Sequence, residues 1–168
     1  MKGINTMKNS LRILSVILAV LMLSVCFVAC NGGASKELVF KTAEGVTITV
    51  GADADPIIAQ LGTPGMVNSS ESCGGFAGKD YVYTYLGFRV STTPAEGGQI
   101  ICKVELTDDS LKTPEGLYIG MSRADVEEAM KGYNSVTLGV NVSYVTDTVM
   151  LNVTFRDDCV SGIVYVLK

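Results

Sequence analysis

The side chains equipped for chemistry are few. The chain contains no histidine, which removes Ser-His-Asp and Cys-His catalysis, histidine-containing zinc sites and histidine-held haem. Cys73, Cys102 and Cys159 form no C-x-x-C pair, so a structural zinc site has no ligand set. Carboxylates do come in pairs, Asp53 with Asp55, Asp108 with Asp109 and Asp157 with Asp158. Such pairs can bind a hard cation or divide acid and base work. None has calcium-loop spacing, and they fall at a helix start, a strand end and a turn, where aspartate caps backbone N–H groups. Gly74, Gly75 and Gly78 fit neither a P-loop nor a dinucleotide fingerprint. The remaining feature is aromatic: Tyr81, Tyr83 and Tyr85 alternate along one strand and share a face, across a hairpin from Phe88 and Val90. That face is either the core under a helix or an exposed binding platform of Tyr81, Tyr83, Tyr85 and Phe88. The expectation is therefore a protein that binds rather than an enzyme, with no cofactor and no metal.

The address is written at the start of the chain. Lys2, Lys8 and Arg12 precede a nearly unbroken apolar run from Ile13 to Ala29, with no acid among them. This is a signal peptide's basic head and apolar middle. The run ends at FVAC, where small Ala29 stands before Cys30, and NGGAS follows as a polar tether. FVAC resembles the lipobox of bacterial lipoproteins, with Phe27 in place of the usual leucine. The resemblance implies cleavage after residue 29, acylation of Cys30 and a folded part held on the extracytoplasmic face of the cell membrane. Several acyl chains on one residue anchor stably where a single chain is marginal. Removing residues 1–29 takes away three basic residues, leaving ten Lys plus Arg against seventeen Asp plus Glu, a net charge of −7. Nucleic acid is excluded as a partner, because phosphates need a basic surface. Outside the cytoplasm a disulfide between Cys73 and Cys102 can form, and reduced, buried thiols fit equally well.

The elements that must position these groups announce themselves by a repeat. KTAEG at Lys41 to Gly45 recurs as KTPEG at Lys112 to Gly116. Each turn leads to a helix, the first expected from an Asp55 cap with Pro56 as the first helical residue and a stop at Gly62, the second from Ser122 with Asp125 completing a capping-box-like pair. After the first helix come the alternating strands DYVYTY, FRVSTT and QIICKVEL; after the second come NVSYVT, VMLNVTF and IVYVLK. In QIICKVEL the alternation assigns Ile100, Cys102, Val104 and Leu106 to the buried face and Ile101 to the outer one. Asn68 to Lys79 reads as the longest loop. The expected architecture is α+β: a signal peptide over 1–29, a tether over 30–36, and two tandem helix-plus-three-stranded antiparallel units over 37–109 and 110–168.

Two such units resemble the beta-lactamase-inhibitory protein fold, and one unit resembles the small lipoprotein of the outer-membrane barrel-assembly machinery. Nearly the whole mature chain also resembles an uncharacterised family of lipoproteins from gut-dwelling Firmicutes. That likeness is carried by Cys73, Tyr83, Tyr85, Gly87, Phe88, Thr107 to Ser110, Thr113, Glu115, Gly116 and Gly120. It implies fold and address and brings no catalytic residues. The function expected is a non-catalytic, lipid-anchored protein-interaction module, for envelope assembly or inhibitor-like binding. The alternative is a small-molecule or carbohydrate-binding lipoprotein with a deep pocket in place of an open sheet face. A carboxylate-pair hydrolase stands behind both.

Overall fold

The two KT-x-EG turns fold alike because the same two residues in each do the same work. Thr42 N–H donates to the Val46 carbonyl at 3.0 Å and Thr113 N–H to the Leu117 carbonyl at 2.9 Å. Each threonine hydroxyl then accepts the return N–H, from Val46 at 3.2 Å and from Leu117 at 3.1 Å. Gly45 and Gly116 take φ of 87° and 90°, a left-handed conformation that a Cβ opposes. Both threonines are buried, so each turn is a fixed point from which the following segment starts.

The computed structural model describes residues 37–168; the signal-peptide, tether and Cys30 expectations lie outside those residues. The first turn closes a hairpin of β1 (Phe40–Lys41) and β2 (Thr47–Ile48). Helix α1 (Ala54–Leu61) follows, then β3 (Met66–Glu71), β4 (Lys79–Tyr85), β5 (Phe88–Ala95) and β6 (Gly98–Leu106). After the second turn come α2 (Arg123–Ala129), β7 (Asn134–Leu138), β8 (Asn141–Val145), β9 (Val149–Arg156) and β10 (Cys159–Leu167). Strands β3 to β10 make one antiparallel sheet in the order β3-β4-β5-β6-β10-β9-β8-β7. Among the described residues no helix is long and apolar enough to cross a membrane.

This topology corrects the expected two tandem helix-plus-three-stranded units. The described residues are mostly β, and eight of their ten strands form a single sheet whose middle pair, β6 with β10, sets Val104 against Tyr165. The short β1–β2 hairpin and two strands of the large sheet were absent from the sequence reading. MVNSSE and NSVTL form β3 and β7 at the sheet edges and are exposed along their whole length. With neither face buried, they show none of the alternation that marks a strand. Residues 68–71 therefore belong to a strand and not to the loop expected there.

One sheet face carries the core. A row of paired residues runs from Tyr83 through Val90, Val104, Tyr165 and Leu151 to Tyr144, and the middle four are fully buried. Leu38, Phe40, Ile48, Leu117, Val126 and Met130 complete this cluster, with Ile57, Ile58 and Leu61 of α1 packed against it. Helix α1 is capped by Asp53, whose carboxylate accepts the Asp55 N–H at 3.2 Å, two residues earlier than expected, so that Pro56 is the third helical residue and not the first. Ser122 caps α2, accepting the Asp125 N–H at 3.2 Å and donating to Asp125 Oδ2 at 2.6 Å.

Candidate functional site

The tyrosine stripe stands on the core side. Phe88 is buried, 6% exposed, and Tyr83 and Tyr85 pack against the core cluster. Tyr85 stacks on Phe88 with ring centres 5.1 Å apart, and Tyr81 on Tyr83 at 6.1 Å. Burial raises the Tyr83 and Tyr85 phenol pKa values, with smaller contributions from the neighbouring tyrosine in each case. Of the two sequence readings, the structure gives core: Tyr81, half-buried at the margin, leaves no exposed four-ring platform. The sheet's other face is the open one, and nothing in the period-two pattern could say so, because both faces of β4 carry apolar residues.

No described element covers that other face. The strand registers carry one row across it from Met66 through Thr84, Arg89, Glu105, Val164, Asn152 and Ser143 to Val136. A neighbouring row contains Val82, Ser91, Lys103, Val166, Met150 and Val145. In the β8–β9 half, short polar side chains are held by their cross-strand neighbours. Ser143 Oγ donates to Asn152 Oδ1 at 2.6 Å, and Thr154 Oγ1 to Asn141 Oδ1 at 2.8 Å. In the β5–β6 half, Glu105 sits between Arg89 at 3.7 Å and Lys103 at 3.5 Å. At this exposure these pairs add little stability; they set a charge pattern on the surface.

A bulge decides the position of Cys102. Ser91 pairs with Lys103 but Thr92 pairs with Ile101, so β6 holds one extra residue and its alternation reverses. Ile101 is thereby fully buried, while Cys102 is half-buried on the open side, the opposite of the simple alternation. The Cys102 Sγ lies 3.3 Å from the Ser91 carbonyl, and burial, then the Asp80 charge, pushes the thiol pKa up. Its pairing with Cys73 does not form, since both thiols are free and Cys73 is exposed.

A cavity of about 360 Å³ opens beneath the first KT-x-EG turn. Its apolar lining includes Leu61, Tyr85, Phe88 and Leu111, and its polar lining includes Glu44, Gln60 and Ser110. Among the described residues Glu44 is the one charged residue in the lining. Among the described residues the Tyr85 hydroxyl is buried with no hydrogen-bond partner. No local signal marks this cavity in the sequence, because its walls come from the turn, α1, the β4–β5 hairpin and the segment after β6.

The paired aspartates hold local structure. Asp53 caps α1, and Asp108 accepts from the Ser110 N–H at 2.9 Å and from its hydroxyl, which lowers the Asp108 pKa. Asp157 and Asp158 occupy the β9–β10 turn with φ of 51° and 59°. Asp158 also accepts from Arg123 Nε at 3.0 Å, and that guanidinium lies 3.9 Å over the Phe155 ring. This contact pins the start of α2 to the turn. The chain matches no family model, no curated protein and no solved structure.

Proposed function

We propose that the protein is a lipoprotein held by acylated Cys30 on the extracytoplasmic face of the membrane, and that it binds another protein through the open sheet face without chemistry of its own. The observation that carries this reading is an eight-stranded face that no described element covers. Eight strands about 4.8 Å apart, with roughly five residues of mutual overlap, present on the order of 600 Å² before side-chain relief is counted. One side of a standard protein interface is about 800 Å². Side chains already fixed by neighbours, as Ser143 and Asn152 are, lose little freedom when a partner arrives. The Arg89, Glu105 and Lys103 cluster supplies an orienting charge pattern.

A second reading, a small-molecule or carbohydrate binder, is favoured by the cavity under Glu44. Its volume of about 360 Å³ lies at the lower end of ligand-site sizes, about 300–1,000 Å³. One experiment separates the two. The full-length tagged chain is cross-linked in its own membrane as wild type, as Thr84→Arg with Asn152→Arg on the open face, and as Gln60→Trp in the cavity. A stoichiometric protein adduct lost only in the arginine variant supports the protein-binding reading. Wild-type chain with no adduct, stabilised in a thermal-shift screen of sugars and amines that leaves Gln60→Trp unmoved, replaces it with the ligand reading.

A further inference from the structure

We propose that two copies of this chain join edge to edge through β7, extending the sheet to sixteen strands; this stands whether or not the open-face reading holds. Exposed large apolar side chains gather at this edge: Val136 is 63% and Leu138 78% exposed, and Val140 in the following turn is 56% exposed. Among the described residues strand β7 is hydrogen-bonded to β8 alone. Leu138 and Asn141 close a two-residue hairpin loop as a paired set, which requires them to exchange their backbone bonds. Antiparallel pairs alternate between bonded and unbonded. Val136 and Asn134 therefore also bond to β8, while Ser135 and Thr137 turn N–H and C=O toward the free edge.

Edges that stay single are usually blunted by a charge, a proline or a bulge. NSVTL has no charge and no proline, and its register with β8 is unbroken. An unpaired backbone of this kind is satisfied by an extended strand, and β7 is complementary to itself. A two-fold axis normal to the sheet at Thr137 sets that residue against its own copy as a bonded pair. Val136 then faces Leu138 of the second copy on the open side, apolar against apolar, with no like charges opposed. The contact is isologous and closes at two copies. Pairing β7 with β3 would be head-to-tail and open-ended, and would use a strand that ends on Glu71. The dimer also places the two open faces on one side of one continuous sheet.

The test is disulfide trapping of the full-length chain in membranes. Bonded antiparallel partners lie about 5.5 Å apart at Cα, inside the usual disulfide range of about 4.4–6.8 Å. Thr137→Cys should give a covalent dimer on mild oxidation at least several-fold above the parent chain, which carries its own exposed Cys73 and Cys159, and above Ser135→Cys. Adding Val136→Lys and Leu138→Lys should abolish it. Co-expression with a copy carrying Thr137→Cys, Val136→Glu and Leu138→Glu should restore it as a mixed dimer. Cross-linking no higher than the parent, equal at Ser135→Cys, or indifferent to the lysines would overturn the proposal.

Discussion

The first and second KT-x-EG turns share their backbone bonds yet send their glutamates to different surroundings. Glu44 stands exposed at the lining of the cavity. Glu115 accepts a hydrogen bond of 2.8 Å from the Tyr165 hydroxyl across the core. Tyr165 is fully buried, and the residue paired with it across the sheet centre is Val104. A valine at that position has neither the length nor the hydroxyl to engage a turn glutamate. The difference teaches that threonine and glycine set the form of the turn, whereas the glutamate's role is set by a residue far along the chain.

The comparison breaks most visibly at Tyr165. Replacing it with alanine should destabilise the protein by about 3–5 kcal/mol, the range for a large buried side chain, whereas Tyr85→Ala, at a half-buried site, should cost clearly less. Denaturant unfolding of the two variants checks this, and equal losses would mean that the two halves are held alike. At the turns themselves the likeness should hold. Thr42→Val and Thr113→Val each leave one N–H without its hydroxyl acceptor, a loss of about 1–2 kcal/mol, and should match within about 0.5 kcal/mol.

The smallest expected effect is one of pH. Burial first, then the Glu115 charge and hydrogen bond, raise the Tyr165 pKa above its ordinary 10.0. The folded state thus keeps a proton that the unfolded chain gives up, so the stability tied to it is complete below pH 10.0 and is lost as pH rises beyond that value. Tyr165→Phe should flatten the alkaline fall in stability, leaving the share due to Tyr83, Tyr85, Tyr133 and Tyr144, whose pKa values burial also raises. Glu44→Gln, at an exposed position, should leave the curve unchanged within about 0.5 kcal/mol. Parallel curves for wild type and Tyr165→Phe would remove the proposed asymmetry between the turns.

Much of the local structure was legible. The repeat located both turns, Gly62 and Ser122 marked a helix end and a helix start, and alternation found the six strands that have one buried face. The two edge strands were hidden because no face of theirs is buried. Ile101 and Cys102 were exchanged because a one-residue bulge reverses every assignment beyond it. The tyrosine stripe could be read as sharing a face, but which face the helices cover depends on α1, β1 and β2 packing from elsewhere in the chain.

By itself, then, the sequence determined the absence of histidine chemistry, the acidic balance, the repeated turns and most strand positions. These follow from composition and from interactions within a few residues. Only the tertiary structure decided that β6 pairs with β10, that no described element covers one sheet face, that Glu115 meets Tyr165, and that a cavity lies beneath Glu44. Each of those depends on residues that are distant in the chain and become neighbours only when the whole sheet has formed.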